Sequence, residues 1–145
     1  MDIRAYMAYP VRFISSDEGG FTVVVSGIEG AISEGSTKKE AEQAAIDVIA
    51  DMANYYLDEK RQIPPAPTLK KGEELVELPI VMAVKIILRN EMLNQNVSQR
   101  ELARRLGMSA QLLGQTLDLT RVRTSIDTLS TALRALGKRL SVCID

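Results

Sequence analysis

SQRELARRLGMSAQLLGQT, residues 98–116, reads as a helix, a one-glycine turn and a second helix. Leu102, Ala103 and Leu106 share one face of the first helix. Gly107 follows at once, where a helix needs a residue able to take the left-handed stop. Met108 plugs the corner, and Ser109 is placed to cap a second helix whose Leu112, Leu113 and Thr116 face back. Ala103 is small where two steeply crossing helices touch. Counted from Gln99, the order is leucine at place four, alanine at five, leucine at eight and glycine at nine. Apolar residues follow at places ten and fifteen.

This arrangement resembles a helix-turn-helix of the Cro/repressor type, whose second helix lies in the DNA major groove. The resemblance makes Ser109, Ala110, Gln111 and Gln115 the exposed residues of a recognition helix. Gln111 and Gln115 stand one turn apart, and glutamine can bond adenine N6 and N7 together. The second helix carries no Lys or Arg, and Gly114 inside it costs about 1 kcal/mol against alanine. A grip on phosphates therefore falls to flanking residues. Arg100, Arg104 and Arg105 lie on the first helix, and Arg121 and Arg123 follow the second.

Working outward, Pro79 opens a helix that runs to about Asn94, with Ile80, Ala83, Val84, Ile87 and Leu88 on its apolar side. Thr124 and Asp127 make a capping box for a last helix striped by Ile126, Leu129, Leu133 and Leu136, which stops at Gly137. Arg139 to Ile144 then alternates. Leu140, Val142 and Ile144 read as a terminal strand with no mate in this half, expected to pair with its copy in a second subunit. Dimers of such helix pairs place two recognition helices about 34 Å apart on the duplex. Self-association of the N-terminal half as well would give a tetramer.

The N-terminal half has strand spacing. Residues 5–14 alternate through Met7, Tyr9, Val11 and Phe13, and Pro10 puts this strand at an edge or points its nitrogen outward. Asp17-Glu18-Gly19-Gly20 is a turn, residues 21–26 are a valine-rich second strand, and residues 31–34 a short third. Thr37 with Glu40 forms a capping box for a helix to about Asp58, with Ala41, Ala44, Ala45, Val48, Met52 and Tyr55 as its buried stripe. RQIPPAPTLKKG, residues 61–72, is an extended break, after which residues 74–78 return as a fourth strand. The expected fold is α+β, an antiparallel sheet with one covering helix followed by a mostly helical domain ending in a short strand. The expected division is 1–60 with strand 74–78, a linker at 61–73, and a second domain at 79–145.

Composition bounds the function. The 145 residues contain no histidine, which removes the commonest general base and metal ligand, and the single Cys143 allows no internal disulfide. No apolar run approaches the roughly 20 residues that span a bilayer. The opening, Met1 into Asp2 and Arg4, lacks the basic start and apolar core of a secretion signal, so a reduced cytoplasmic protein is expected. The net charge of −1 divides into −6 over residues 1–77 and +5 over residues 78–145. A basic second half suits phosphates, and an acidic first half suits a basic protein partner.

Tyr9-Pro10, Glu18-Gly19-Gly20-Phe21 with Val23 and Val25, and Gly30 with Glu34-Gly35 before a threonine-opened, alanine-rich helix resemble the start of HicB antitoxins. The likeness continues through the proline break to the Gly137–Ser141 ending. Two stretches depart from the family's habit. Ser26–Ala31 stands where Pro-Asp-Leu-Pro-Gly-Cys is common, and Ser36 stands where an aspartate often precedes the threonine. The resemblance implies a partial RNase H-like N-terminal domain that inhibits a small basic HicA-type mRNA interferase. It also implies a helix-turn-helix domain that represses the operon by binding operator DNA.

On that reading Asp17, Glu18, Glu29 and Glu34 are the acidic residues expected to face the toxin. Nuclease chemistry would need carboxylates converging on ions roughly 4 Å apart. Asp47 and Asp51 lie on the polar side of a helix and the other candidates lie on loops and at strand ends. The expectation is a non-enzyme with no metal and no cofactor. The alternative is a transcriptional regulator whose first domain senses a small ligand, although six aromatic residues offer little to build a pocket.

Overall fold

The computed structural model describes residues 2–145. The alternating stretches become strands β1 (Ala8–Ser15), β2 (Phe21–Val25), β3 (Ile32–Gly35) and β4 (Glu74–Glu77). They form one antiparallel sheet in the order β3-β2-β1-β4. Tyr9, Val11, Val23, Val25 and Val76 point to the buried face, as a period of two requires. A short 3-10 turn, Ile3–Tyr6, precedes β1 where the sequence reading has strand.

β1 is an interior strand, so of the two alternatives for Pro10 the edge placement does not hold. Pro10 is tolerated because of its place in the ladder. Its carbonyl accepts from the Ser26 N–H at 2.9 Å, and the β1–β2 register begins one residue later, at Val11 opposite Val25. The bond that proline cannot donate thus falls beyond the last pair.

Helix α1 (Lys38–Asp58) covers one face of the sheet. Thr37 caps it, accepting from Glu40 N–H at 3.1 Å, while the Glu40 carboxylate reaches back to the Ser36 N–H. Its buried stripe is Ala41, Ala45, Ile49, Ala53, Tyr56 and Leu57. That is a rotation of about one residue from the expected stripe, and it leaves Tyr55 56% exposed. Small residues set the closeness. A Cβ on Gly35 would lie 2.4 Å from the Ala41 nitrogen, so only glycine lets β3 end beneath the first turn of α1.

Helix α2 (Ile80–Asn94) is buried nearly all round, since Met82 through Leu88 are inaccessible. Met82 and Ile86 enter the sheet–α1 core, whereas Val84, Ile87 and Leu88 enter a second core with α3 (Gln99–Leu106), α4 (Ala110–Leu117) and α5 (Ile126–Ala135). A helix that is apolar on every side is an interior helix, and α2 is the wall shared by two cores. Residues 61–73 have no regular structure but are pinned along their first half. Ile63 is buried, its N–H and C=O are both held by the Asn90 amide, and Tyr9 Oη donates to the Pro64 carbonyl at 2.7 Å.

The expected terminal strand is not formed within the single chain. Residues 139–145 hold no regular structure, with Val142 84% and Ile144 94% exposed, while Leu140 packs partly on the second core. A strand needs a ladder to pair with, and the four strands of the sheet pair only with one another.

Candidate functional site

The α3–α4 pair is built from local signals that agree. Ser98 caps α3 through the Glu101 N–H at 3.0 Å, and Ser109 caps α4 through the Leu112 N–H at 3.1 Å. Gly107 ends α3 at φ +67°, the left-handed conformation the turn requires. Leu102, Ala103, Leu113 and Leu117 are buried between the helices and the second core. Gly114 has a packing reason. Its missing Cβ makes room for the Gln99 amide, which bonds the Ala110 carbonyl at 2.7 Å and ties the two helices together.

On the outer side, Ser109, Ala110, Gln111, Leu112 and Gln115 are exposed. Gln115 lines an open groove with Thr120, Arg121, Arg123 and Ser125, so the last turn of α4 and the segment after it form one surface. The arginines divide in two. Arg104 and Arg105 both pair with Glu101, at 2.6 and 3.1 Å, and Arg105 also donates to the Ala135 carbonyl. The hydrogen bonds from Arg104 and then Arg105 hold the Glu101 carboxyl down at about 2. Arg100 and Arg123 are exposed and take part in no ion pair among the described residues, and Arg121 sits 3.7 Å from Asp118. The cap of α5 is Ser125, bonded to the Thr128 N–H, in place of the expected Thr124. Thr124 is one residue early and turns its hydroxyl to the Arg121 carbonyl.

The segment carrying Arg121 and Arg123 is held from behind. Leu119 is fully buried in the sheet–α1 core. Asn54 of α1 donates to Asp118 Oδ1 at 2.8 Å and accepts from the Leu119 N–H at 3.1 Å. Lys85 of α2 donates Nζ to the Asp118 and Arg121 carbonyls at 2.8 and 2.5 Å. Burial depresses the Lys85 ammonium to about 8, with the Asp118 carboxylate opposing the shift. Burial raises the Asp118 carboxyl, but bonds from Thr120 and Asn54 outweigh it and hold the group below its ordinary value. The sequence reading missed Asn54, Lys85 and Asp118. The available signal was a lysine in the middle of an otherwise apolar run, residues 80–88.

At the far end of the sheet, Glu18 and Glu34 line a second, polar groove with Gly20, Thr22, Ser36 and Glu40. Asp17 lies on the adjoining turn outside that groove. Glu29 stands apart, on the loop at the opposite end of β2, where its carbonyl accepts from Tyr56 Oη at 2.7 Å. Glu40 joins the acidic end although its sequence role was only to cap α1. Among the described residues, no three acidic or sulfur ligands are grouped to hold a metal, and no helix is long and apolar enough to cross a membrane.

The acidic end of the sheet and the exposed arginines after α4 are two chemically opposite surfaces on one chain. A family profile described as HicB_like antitoxin of bacterial toxin-antitoxin system matches residues 8–87, which span the sheet, α1 and the first half of α2. "Antitoxin HicB 2" of Photorhabdus laumondii is 40% identical over 136 residues, 94% of this chain and 95% of that one. "Antitoxin HicB" of Escherichia coli K12 is 35% identical over 94% of this chain and 98% of its own. The chain belongs to the HicB-like antitoxin family, and so is an antitoxin of a bacterial toxin-antitoxin system with a toxin as its partner.

Proposed function

We propose that this antitoxin neutralises a HicA-type mRNA interferase with its first domain and represses its own operon with its second, in the cytoplasm and without catalytic activity. The observation that carries the second half is α4. Gln115 lines the groove that holds Arg121 and Arg123, and Gln111 is exposed one turn before it on the same helix, the pairing of base-reading amides with phosphate-binding cations that a helix-turn-helix uses. Ser109 and Ala110 lead α4 into the groove of the duplex, and Arg100 reaches a flanking phosphate.

The sheet and α1, residues 1–60 with strand 74–78, serve as the partial RNase H-like toxin-binding unit, and residues 79–145 as the DNA-binding and dimerising unit. The division is one of tasks, since Met82, Ile86 and Leu119 of the second unit are buried in the core of the first. Asp17, Glu18, Glu34 and the added Glu40 supply charge against a basic toxin, and Glu29 supplies it at the other end of the sheet. Leu140, Val142 and Ile144 form the dimer strand, with tetramers arising if the sheets also associate.

The test is co-expression with the small reading frame beside its gene, together with a gel shift on the DNA upstream. The expected result is growth arrest by the neighbour alone, rescue with co-purification by this chain, and retention of the upstream DNA over random DNA. A harmless or unbound neighbour overturns the toxin assignment and leaves a regulator that senses some other input. Equal binding to random DNA overturns the repressor assignment. Charge reversal of Glu18 and Glu34 to lysine should weaken toxin binding at low salt, and unchanged affinity would remove this end of the sheet from the interface.

A further inference from the structure

We propose that Asn54, on the sheet-covering helix α1, is a positioning residue for the DNA-contacting segment 118–123, so that DNA affinity is set in part by the toxin-binding domain. The inference rests on the DNA-binding reading above and adds a control point to it.

The segment leaves α4 at Leu117 and carries Arg121 and Arg123, yet its anchor lies in the other domain. Leu119 is driven fully into the sheet–α1 core. Its N–H is received by Asn54 Oδ1, and Asn54 Nδ2 holds the Asp118 carboxylate. Asn54 is itself oriented. Arg89 of α2 gives one nitrogen to Asn54 Oδ1 at 2.8 Å and another to Asp58 at 2.9 Å. From the other side Lys85 binds the carbonyls at both ends of the turn, those of Asp118 and Arg121. Thr120 closes the turn onto Asp118 with its N–H and hydroxyl at 3.0 and 2.8 Å.

The Asp118 carboxylate and carbonyl, the Leu119 N–H and the Arg121 carbonyl are thus answered by α1, α2 or the turn itself, while the arginine side chains are left exposed. A guanidinium placed on a phosphate by a fixed backbone loses less freedom on binding than one on a mobile loop. Asn54 touches no DNA in this arrangement. It acts by fixing where the segment begins.

The experiment uses the full chain and the DNA upstream of its gene, with affinity measured across a salt series. Asn54→Leu removes the donor to Asp118 and the acceptor for Leu119 N–H. Affinity should fall roughly tenfold on specific and random DNA alike, and the slope of log K against log salt should flatten by about one to two units, as for lost phosphate contacts. Toxin binding should be unchanged. In an Arg121→Ala, Arg123→Ala background, Asn54→Leu should cost nothing further, which a general loss of stability would not reproduce.

Asn54→Asp sets two carboxylates against each other and should weaken binding. Adding Asp118→Asn restores a donor–acceptor pair and should recover most of it, a readout that holds even if Asn54→Leu fails to fold. Wild-type affinity and salt slope in Asn54→Leu, or an equal loss in the arginine-free background, overturns the latch. Failure of the wild-type chain to prefer or bind the DNA retires the DNA reading itself, and the latch with it.

Discussion

At the scale of single residues, Gln111 and Arg123 are expected to differ in kind. If Gln111 reads a base as proposed, Gln111→Ala should cost about 1–3 kcal/mol of discrimination while leaving random-DNA binding nearly intact. Arg123→Ala should weaken binding to all sequences and flatten the salt dependence. Identical behaviour of the two on specific and random DNA would refute both roles. Gly107 is a cleaner case, because a Cβ built there meets nothing within 4 Å. The cost of Gly107→Ala is then purely conformational, about 1–2 kcal/mol for a left-handed alanine, and urea unfolding should show a lower midpoint with an unchanged slope.

On α4 the exposure of Ser109, Ala110, Gln111 and Gln115 follows from spacing on a capped helix, whereas Leu112, expected to face back, is half exposed. The acidic residues were less legible. Asp17, Glu18, Glu29 and Glu34 looked equivalent in the chain, and only strand pairing puts Glu34 beside Thr22, near Glu18, and leaves Glu29 at the other end of β2.

At the scale of elements, α3 is drawn to α5 by Arg105, which pairs with Glu101 and reaches the Ala135 carbonyl. The Glu101 carboxyl, held at about 2 by Arg104 and Arg105 against an ordinary 4.5, stays charged in the folded chain after the unfolded chain has protonated. Its contribution to stability is therefore complete above pH 4.5 and disappears as pH falls toward 2. An NMR titration of the Glu101 side chain should give a midpoint near 2, and Arg104→Gln should move it up. The ends marked by Thr37, Ser109 and Gly107 are legible because these residues have local jobs, whereas the α5 cap falls on Ser125 and not on Thr124. Element phase was less legible. In α1 the stripe at Ile49, Ala53 and Tyr56 competes with one at Val48, Met52 and Tyr55, and both are apolar at helical spacing. The sheet chose between them, with Tyr56 Oη fixed on the Glu29 carbonyl.

At the scale of the whole molecule, Lys85 is a buried charge at the junction of two cores. Its depressed pKa, about 8 against 10.5, means the unfolded chain holds that proton more tightly between those values. The unfolded state then binds more protons, so this group makes stability rise with pH from about 8 to 10.5. Comparing urea midpoints of the wild type and Lys85→Met at pH 7.5 and 10 should show the difference shifting in favour of the wild type at the higher pH. Assembly belongs to this scale too. Val142 and Ile144 are exposed in the single chain, and light scattering should give at least twice the chain mass. Val142→Asp with Ile144→Asp should return the monomer, and an unchanged mass would exclude the tail as the dimer strand.

The sequence by itself determined what depends on neighbours in the chain. It set the strands and helices through their periods of two and 3.6, the Gly107 stop and the Ser109 cap, the charge division, and the likeness to HicB that the relatives bear out. Tertiary structure alone decided what depends on distant partners. The interior place of β1, the burial of α2 on every side, the packing of Ile63 in the proline stretch and the latch of Asn54 and Lys85 on residues 118–121 join distant segments, the hydrogen bonds of the last two spanning 27 to 65 positions. Periodicity carries no record of such pairings. They follow from which apolar faces meet and from the requirement that each polar group enclosed between them finds a partner.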